Sequence, residues 1–151
     1  MSTPLHLVIH RTDRSGRAVD LALAFPSDLA LVGQAVDLIA RHCQAGPLSP
    51  RRLFFNLRTA LAEALANAIT YGNAGDPGRL VRVHVVVSTE AVRIDVVDEG
   101  AGFAYTDVPD PTTPENLNRE NGRGLFVMRH LVDDVAFNAK GNGVCLILKA
   151  G

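Results

Sequence analysis

The run ALAEALANAITYGNAG, Ala60 to Gly75, decides how this chain is read. It is a helix of alanine and aliphatic residues that nevertheless carries one Glu and one Asn, Glu63 and Asn67, and runs straight into Tyr-Gly-Asn. At about 100° per residue, Asn56, Thr59, Glu63, Asn67 and Thr70 fall on one face, and Phe54, Leu57, Leu61, Leu65 and Ala68 on the opposite one. One reading is an amphipathic helix with its polar stripe in water. Two features point the other way. An exposed stripe is normally furnished with Lys, Arg and Glu, whereas from Thr59 to Thr70 the only charge is Glu63. Ala62, Ala64, Ala66 and Ala68 also keep the helix thin, which suits a surface that something approaches closely.

A carboxylate and a carboxamide one helical turn apart make chemical sense together. The Asn67 amide oxygen is a hard, neutral ligand of the kind Mg²⁺ takes while keeping several waters. Glu63 can accept a proton from a hydroxyl or water that attacks a phosphate.

Outward from this helix, the rest of the chain falls into alternating runs. LHLVIHR and VDLALAF read as two half-buried strands joined in a hairpin. Pro26-Ser27-Asp28 starts a helix, with Ser27 as its cap and Asp28 suited to the positive first turn. Ser49-Pro50 opens the Glu63 helix, which Gly72 stops. RLVRVHVVVS and AVRIDVVDEG follow as strands, then a Pro-rich stretch without periodicity, a short helix GLFVMRHLVDD, and a closing hairpin of DVAFNA and GVCLILKA. The order β-β-α-α-β-β-α-β-β predicts an α+β, two-layer sandwich: a mixed, largely antiparallel sheet with helices on one face. At 151 residues the expectation is a single domain, 1–151.

Two glycine signatures come before the last helix. In DVVDEGAGF a strong strand ends at Asp98, followed by Gly100 and Gly102. A carboxylate there can accept a hydrogen bond from the exocyclic amine of adenine, and glycines let the backbone pass close to a flat ring. The same residues also fit an ordinary tight turn. In NGRGLFVMRHL, Gly122 and Gly124 precede an apolar helix whose first N–H groups can face phosphate oxygens, with Arg119 and Arg123 adding positive charge.

Composition narrows the class. A formal net charge of −1 gives no nucleic-acid footprint. Cys43 and Cys145 are far apart and in no CxxC arrangement, so they read as buried thiols of a reducing compartment. No signal peptide or membrane-length apolar run is visible, which predicts a cytoplasmic protein without membrane contact. The five histidines are scattered and read as surface or packing residues.

E-x-x-x-N, then D-x-G-x-G, then G-x-G-L, in this order, resembles the GHKL (Bergerat-fold, histidine-kinase-like) ATPase superfamily. FPSDLALVGQAVDLIARH, LAEALANAITYGN and GRGLFVMRHLVDDVAF resemble its anti-sigma factor serine-protein kinase branch. The resemblance covers about Val19 to Lys149 and leaves residues 1–18 as an extra strand and turn. It implies Asn67 as the Mg²⁺ ligand, Glu63 as the catalytic base and Asp98 as the adenine acceptor, with Gly100 and Gly102 shaping the base pocket. Gly122 and Gly124 would lie against the phosphates, and residues 104–121 would form the ATP lid. Either Arg119 or Arg123 would stand near the γ-phosphate. The implied activity is ATP- and Mg²⁺-dependent phosphorylation of a Ser or Thr on an anti-sigma factor antagonist, by a homodimer that also holds a sigma factor. The alternative is a non-catalytic nucleotide-binding module that sequesters its partner. The chain departs from the pattern in two places: GNGVCL offers no Thr where many relatives have one near adenine, and Tyr71 stands where His is frequent.

Overall fold

The computed structural model describes residues 5–11, 19–101 and 120–151. Six strands form one sheet in the order β1-β2-β3-β4-β6-β5: β1 His6–Arg11, β2 Val19–Pro26, β3 Leu80–Val87, β4 Ala91–Val97, β5 Asp134–Phe137 and β6 Gly143–Lys149. Every described pairing is antiparallel, so the largely antiparallel sheet contains no parallel pair among these strands. Three helices, α1 Val32–His42, α2 Arg58–Asn67 and α3 Glu120–Leu131, complete the α+β architecture.

The alternation read from the sequence becomes a two-faced sheet. Leu21, Leu23 and Phe25 of β2, Val81, Val83, Val85 and Val87 of β3, and Val92, Ile94 and Val96 of β4 are buried. They meet Ala35, Val36 and Ile39 of α1 and Leu61 and Leu65 of α2 in one core. Burial of this apolar surface, at roughly 25 cal/mol per Å², is the main force holding the layers together.

The second helix is not uniformly α. Arg52–Leu57 and Ala68–Gly72 are π-helical turns on either side of α2. Its buried residues Leu53, Leu57, Leu61, Leu65 and Ile69 recur every fourth position. In a pure α-helix that spacing drifts by about 40° at each step. The wider π turns rotate less per residue and bring Leu53 and Ile69 back over the sheet. They also correct one expectation. Phe54, expected on the apolar face from a constant 100° step, is 54% exposed because the π turn rotates it outward.

A second correction concerns the first helix. Asp28, not Ser27, supplies the cap: its side chain accepts from Ala30 N at 2.9 Å, opening a 3₁₀ turn that leads into α1. Ser27 is buried and its hydroxyl donates to the Arg79 carbonyl at 2.7 Å. The expected Ser49 cap is present, accepting from Arg52 N at 3.3 Å. Cys43 is buried, and burial pushes its thiol up to about 12. Cys145 departs from the expectation of a buried thiol, since it is only half-buried, on β6.

Candidate functional site

The Tyr-Gly-Asn that ends the second helix joins it to the sheet. Asn73 has no exposed surface. Its amide donates to Ser27 Oγ at 2.8 Å and to the Leu80 carbonyl at 3.0 Å, and accepts from Glu99 N at 2.7 Å. One side chain therefore fixes the helix end to the start of β3 and to the residue after Asp98. This arrangement brings Gly72 against Asp98. A methyl group on Gly72 would lie 2.1 Å from Asp98 Oδ2, and one on Gly100 would lie 2.0 Å from the Gly72 carbonyl oxygen. Neither position has room for a side chain, because backbone and carboxylate are stacked directly on one another.

Asp98 is 8% exposed. Gly100 N donates to its Oδ1 at 2.8 Å. Burial pushes its carboxyl above the usual carboxylate range, opposed by the Gly100 bond and by the charges of Lys140 and Arg79. The carboxylate lines a cavity of about 280 Å³ whose other walls include Asn67, Leu125, Met128, Phe137 and Val144. Apolar walls with one buried acceptor suit a flat heteroaromatic ring carrying an amine.

A second cavity, about 350 Å³, is lined by Glu63, Thr70 and Gly124. Asn67 and Tyr71 line both cavities, so the two adjoin along the last turns of the second helix. Gly124 faces the Glu63–Asn67 pair. A methyl group there would stand 3.0 Å from both Glu63 Oε2 and Asn67 Nδ2.

The structure thus gathers Glu63, Asn67, Asp98 and Gly124 around two adjoining spaces, with Gly100 hydrogen-bonded to Asp98. Two expectations about α3 change. The described part of α3 runs from Glu120, so residues 120 and 121, expected in the lid, are helical, and Gly122 and Gly124 lie within the helix instead of before it. Gly124, two residues on from Gly122, contributes its missing side chain. Arg123 is described only by its place in α3. Gly102, Arg119 and the expected lid residues up to 119 lie outside the described residues.

Sequence reasoning also missed part of the site. Asn56, expected on the stripe with Glu63, instead donates to the carbonyl of Leu131 at 3.0 Å and caps the end of α3. Arg79, Tyr71 and Asn142 line the cavity beside Asp98 without having been assigned there. None of the three carried a signal in the sequence, since Asn142 meets Asp98 only through the fold. Among the described residues no three His, Cys, Asp or Glu side chains cluster to hold a metal ion, and no helix is long and apolar enough to cross a membrane.

A sheet with one helical layer, and a cavity under an Asn-bearing helix that ends on a buried Asp, define an ATPase-type module. Residues 25–149 match the histidine kinase-like ATPase domain, and the chain belongs to that family. Among curated proteins it is similar to the anti-sigma F factor of Geobacillus thermodenitrificans (strain NG80-2), 35% identical over 97 residues, 62% of this chain and 66% of that protein. The anti-sigma F factor of Geobacillus sp. (strain WCH70) is 33% identical over the same shares. That of Clostridium beijerinckii (strain ATCC 51743 / NCIMB 8052) is 30% identical over 98 residues, 62% of this chain and 68% of that protein. The match to the two Geobacillus proteins spans just under two thirds of their length.

Proposed function

We propose that this chain is an ATP-binding anti-sigma factor that phosphorylates a Ser or Thr hydroxyl of an antagonist protein. In this reading it works as a homodimer, and the phosphorylation state of the antagonist decides whether it holds that protein or a sigma factor. The similarity to anti-sigma F factors motivates the choice of partners. The observation that carries the reading is the pair of cavities sharing Asn67, with Asp98 lining one and Glu63 the other.

The residues present fit the nucleotide and its metal. Asp98 offers a buried acceptor for the exocyclic amine of adenine, within an apolar slot. Asn67 offers a single carbonyl oxygen, and Mg²⁺ accepts such a site when phosphates and water complete its shell. Gly122 and Gly124 would lie against the phosphates, and Arg119 or Arg123 would add charge there. When bound, ATP with Mg²⁺ supplies the phosphoryl group and the charge neutralisation that its transfer needs. Glu63 takes the proton of the attacking hydroxyl, and the chain contributes chiefly positioning.

The test is ATP-dependent labelling of a cognate antagonist. Glu63→Gln should lower labelling by roughly 100-fold or more, the size expected for loss of a general base, while ATP binding by calorimetry persists. Full activity in Glu63→Gln would remove the base assignment. Wild-type protein that binds ATP but labels no antagonist would leave the non-catalytic sequestering module in its place.

A further inference from the structure

The two edges of the sheet are built differently. Strand β5, at one edge, is four residues long, follows Asp133 and opens on Asp134. Shortness and charge are the usual protection of an edge against pairing with another chain. Strand β1, at the other edge, lacks both. It runs six residues in unbroken register with β2, from His6↔Ala24 to Arg11↔Val19. It contains no proline, and Leu7-Val8-Ile9 at its middle carry no charge. Among the described residues it pairs on one side only, so the backbone groups along its outer side have no strand to meet. The side chains agree. Leu7 and Ile9 stand beside Leu23 and Leu21 on the helix side, yet they are only partly buried against the core. Val8 faces the other way, beside Ala22, and is 54% exposed. An aliphatic strand covered from one side has room for a further strand on the other.

The order of the residues selects which strand that is. His6-Leu7-Val8-Ile9-His10 reads alike in kind from either end. Paired antiparallel with itself about Val8, the run sets Val8 opposite Val8 of a second copy, and Leu7 opposite Ile9 of that copy. Residues opposite each other in an antiparallel pair share a face. The leucines and isoleucines therefore meet on the helix side and the valines on the open side. The same register puts Arg11, the only Arg, Lys, Asp or Glu of the strand, opposite Leu5 and not opposite itself. No like charges confront one another across the junction. A contact in which residue i meets j while j meets i is the mark of a two-fold dimer.

We infer that this chain self-associates through β1, two copies joining edge to edge about Val8 into one continuous sheet. The inference rests on the homodimer of the reading above and names its contact. The family match begins at residue 25, so the matched region does not contain this strand. Strands β2 and β3 separate β1 from β4, which leaves both Asp98 cavities outside the contact and open to their ligands.

The experiment is sedimentation velocity of the full chain over a dilution series, with circular dichroism to confirm that each variant folds. One strand pair is a small interface, so wild type should be a dimer that dissociates at roughly micromolar concentration. Val8→Lys sets two ammonium groups opposite each other and should weaken the dimer by about tenfold or more. Val8→Thr, uncharged and β-branched, should keep it. The register is read with a short bismaleimide: Val8→Cys should link two copies above the wild-type background. His6→Cys should not, because its two sites lie about 13 Å apart along the strands. If Val8→Lys does not fold, the Val8→Cys linkage carries the test. A folded Val8→Lys chain that dimerises as wild type does overturns the inference, and so does a dimer that Val8→Cys fails to link. Either result leaves the homodimer to another surface. A wild type that stays monomeric removes the homodimer and this inference together, while labelling of an antagonist decides the kinase reading separately.

Discussion

At the scale of single residues, Asp98 shows how a site costs stability. Its carboxyl is raised by burial, so the folded chain holds that proton more tightly than the unfolded chain does. The sign follows from linkage. Its contribution is most favourable below the ordinary carboxylate value and declines as pH rises through the raised one, so at neutral pH the ionised group is a net cost. Asp98→Asn keeps an oxygen for the Gly100 N–H and removes the buried charge. The expected outcome at pH 7 is a gain of roughly 0.5–2 kcal/mol, the usual yield when a functional compromise is relieved. Thermal melts of both proteins across pH 3–8 would show that gain shrinking toward the acid end. ATP affinity should fall sharply in the same variant, because an amide placed there can turn an N–H toward the base amine. A variant less stable than wild type at pH 7 would mean that the carboxylate holds the turn together by its charge, contrary to the burial argument.

At the scale of elements, Asp133 works in the opposite direction. It follows α3 and accepts from Lys149 N of β6 at 2.7 Å and from Arg52, at the start of the second helix, at 2.6 Å. The Lys149 backbone bond, then the Arg52 guanidinium, hold its carboxyl below the usual range. Its contribution is therefore complete above the ordinary carboxylate value and lost as pH falls through the lowered one. Asp133→Asn should destabilise by about 1 kcal/mol at pH 7, the worth of a charge-assisted bond at a partly exposed site, and by progressively less as pH falls through that lowered value. An acid-titrated denaturation series checks this, and a pH-independent difference would refute it. Asp133 also marks how far elements could be read from sequence. Strands with strict alternation, such as Val81, Val83, Val85 and Val87, were legible because burial on one face imposes a period of two. The π turns were not, since nothing in RLFFNL distinguishes a wide turn from an ordinary one until the sheet demands its phase. Phe54 was misplaced for that kind of reason: tertiary contacts set the rotation of the helix. Glu63 and Asn67 stood out as the lone charge and an amide on a thin, otherwise uncharged stripe, and Asp98 as a carboxylate ending a strand ahead of two glycines. Asn142 was not legible, because its role depends on a partner 44 positions away.

At the scale of the whole molecule, sheet order separates stability from function. The family match begins at residue 25, so β1 and most of β2 lie outside it. Strand β1 pairs along β2 from His6↔Ala24 to Arg11↔Val19, and Leu5, Leu7 and Ile9 extend the core without being fully buried by it. Two strands, β2 and β3, stand between β1 and β4, whereas the cavity is walled by the Asp98 end of β4, by β6 and its turn, and by α2 and α3. Removing residues 1–18 should therefore weaken the fold without touching the site. Three half-buried aliphatic side chains are worth about 1 kcal/mol each, half of what full burial provides, for a total of about 3 kcal/mol. In a chain of this size that lowers the melting temperature by roughly 10 °C. ATP affinity, measured well below that temperature, should stay within about twofold of wild type, since distant and independent sites contribute additively. A truncated chain that melts as the full one does would show that β1 is only laid against the sheet. A tenfold loss of ATP affinity in a folded truncated chain would show instead that the added strand reaches the cavity through β2 and β3, and that the edge of the sheet is part of the binding machinery.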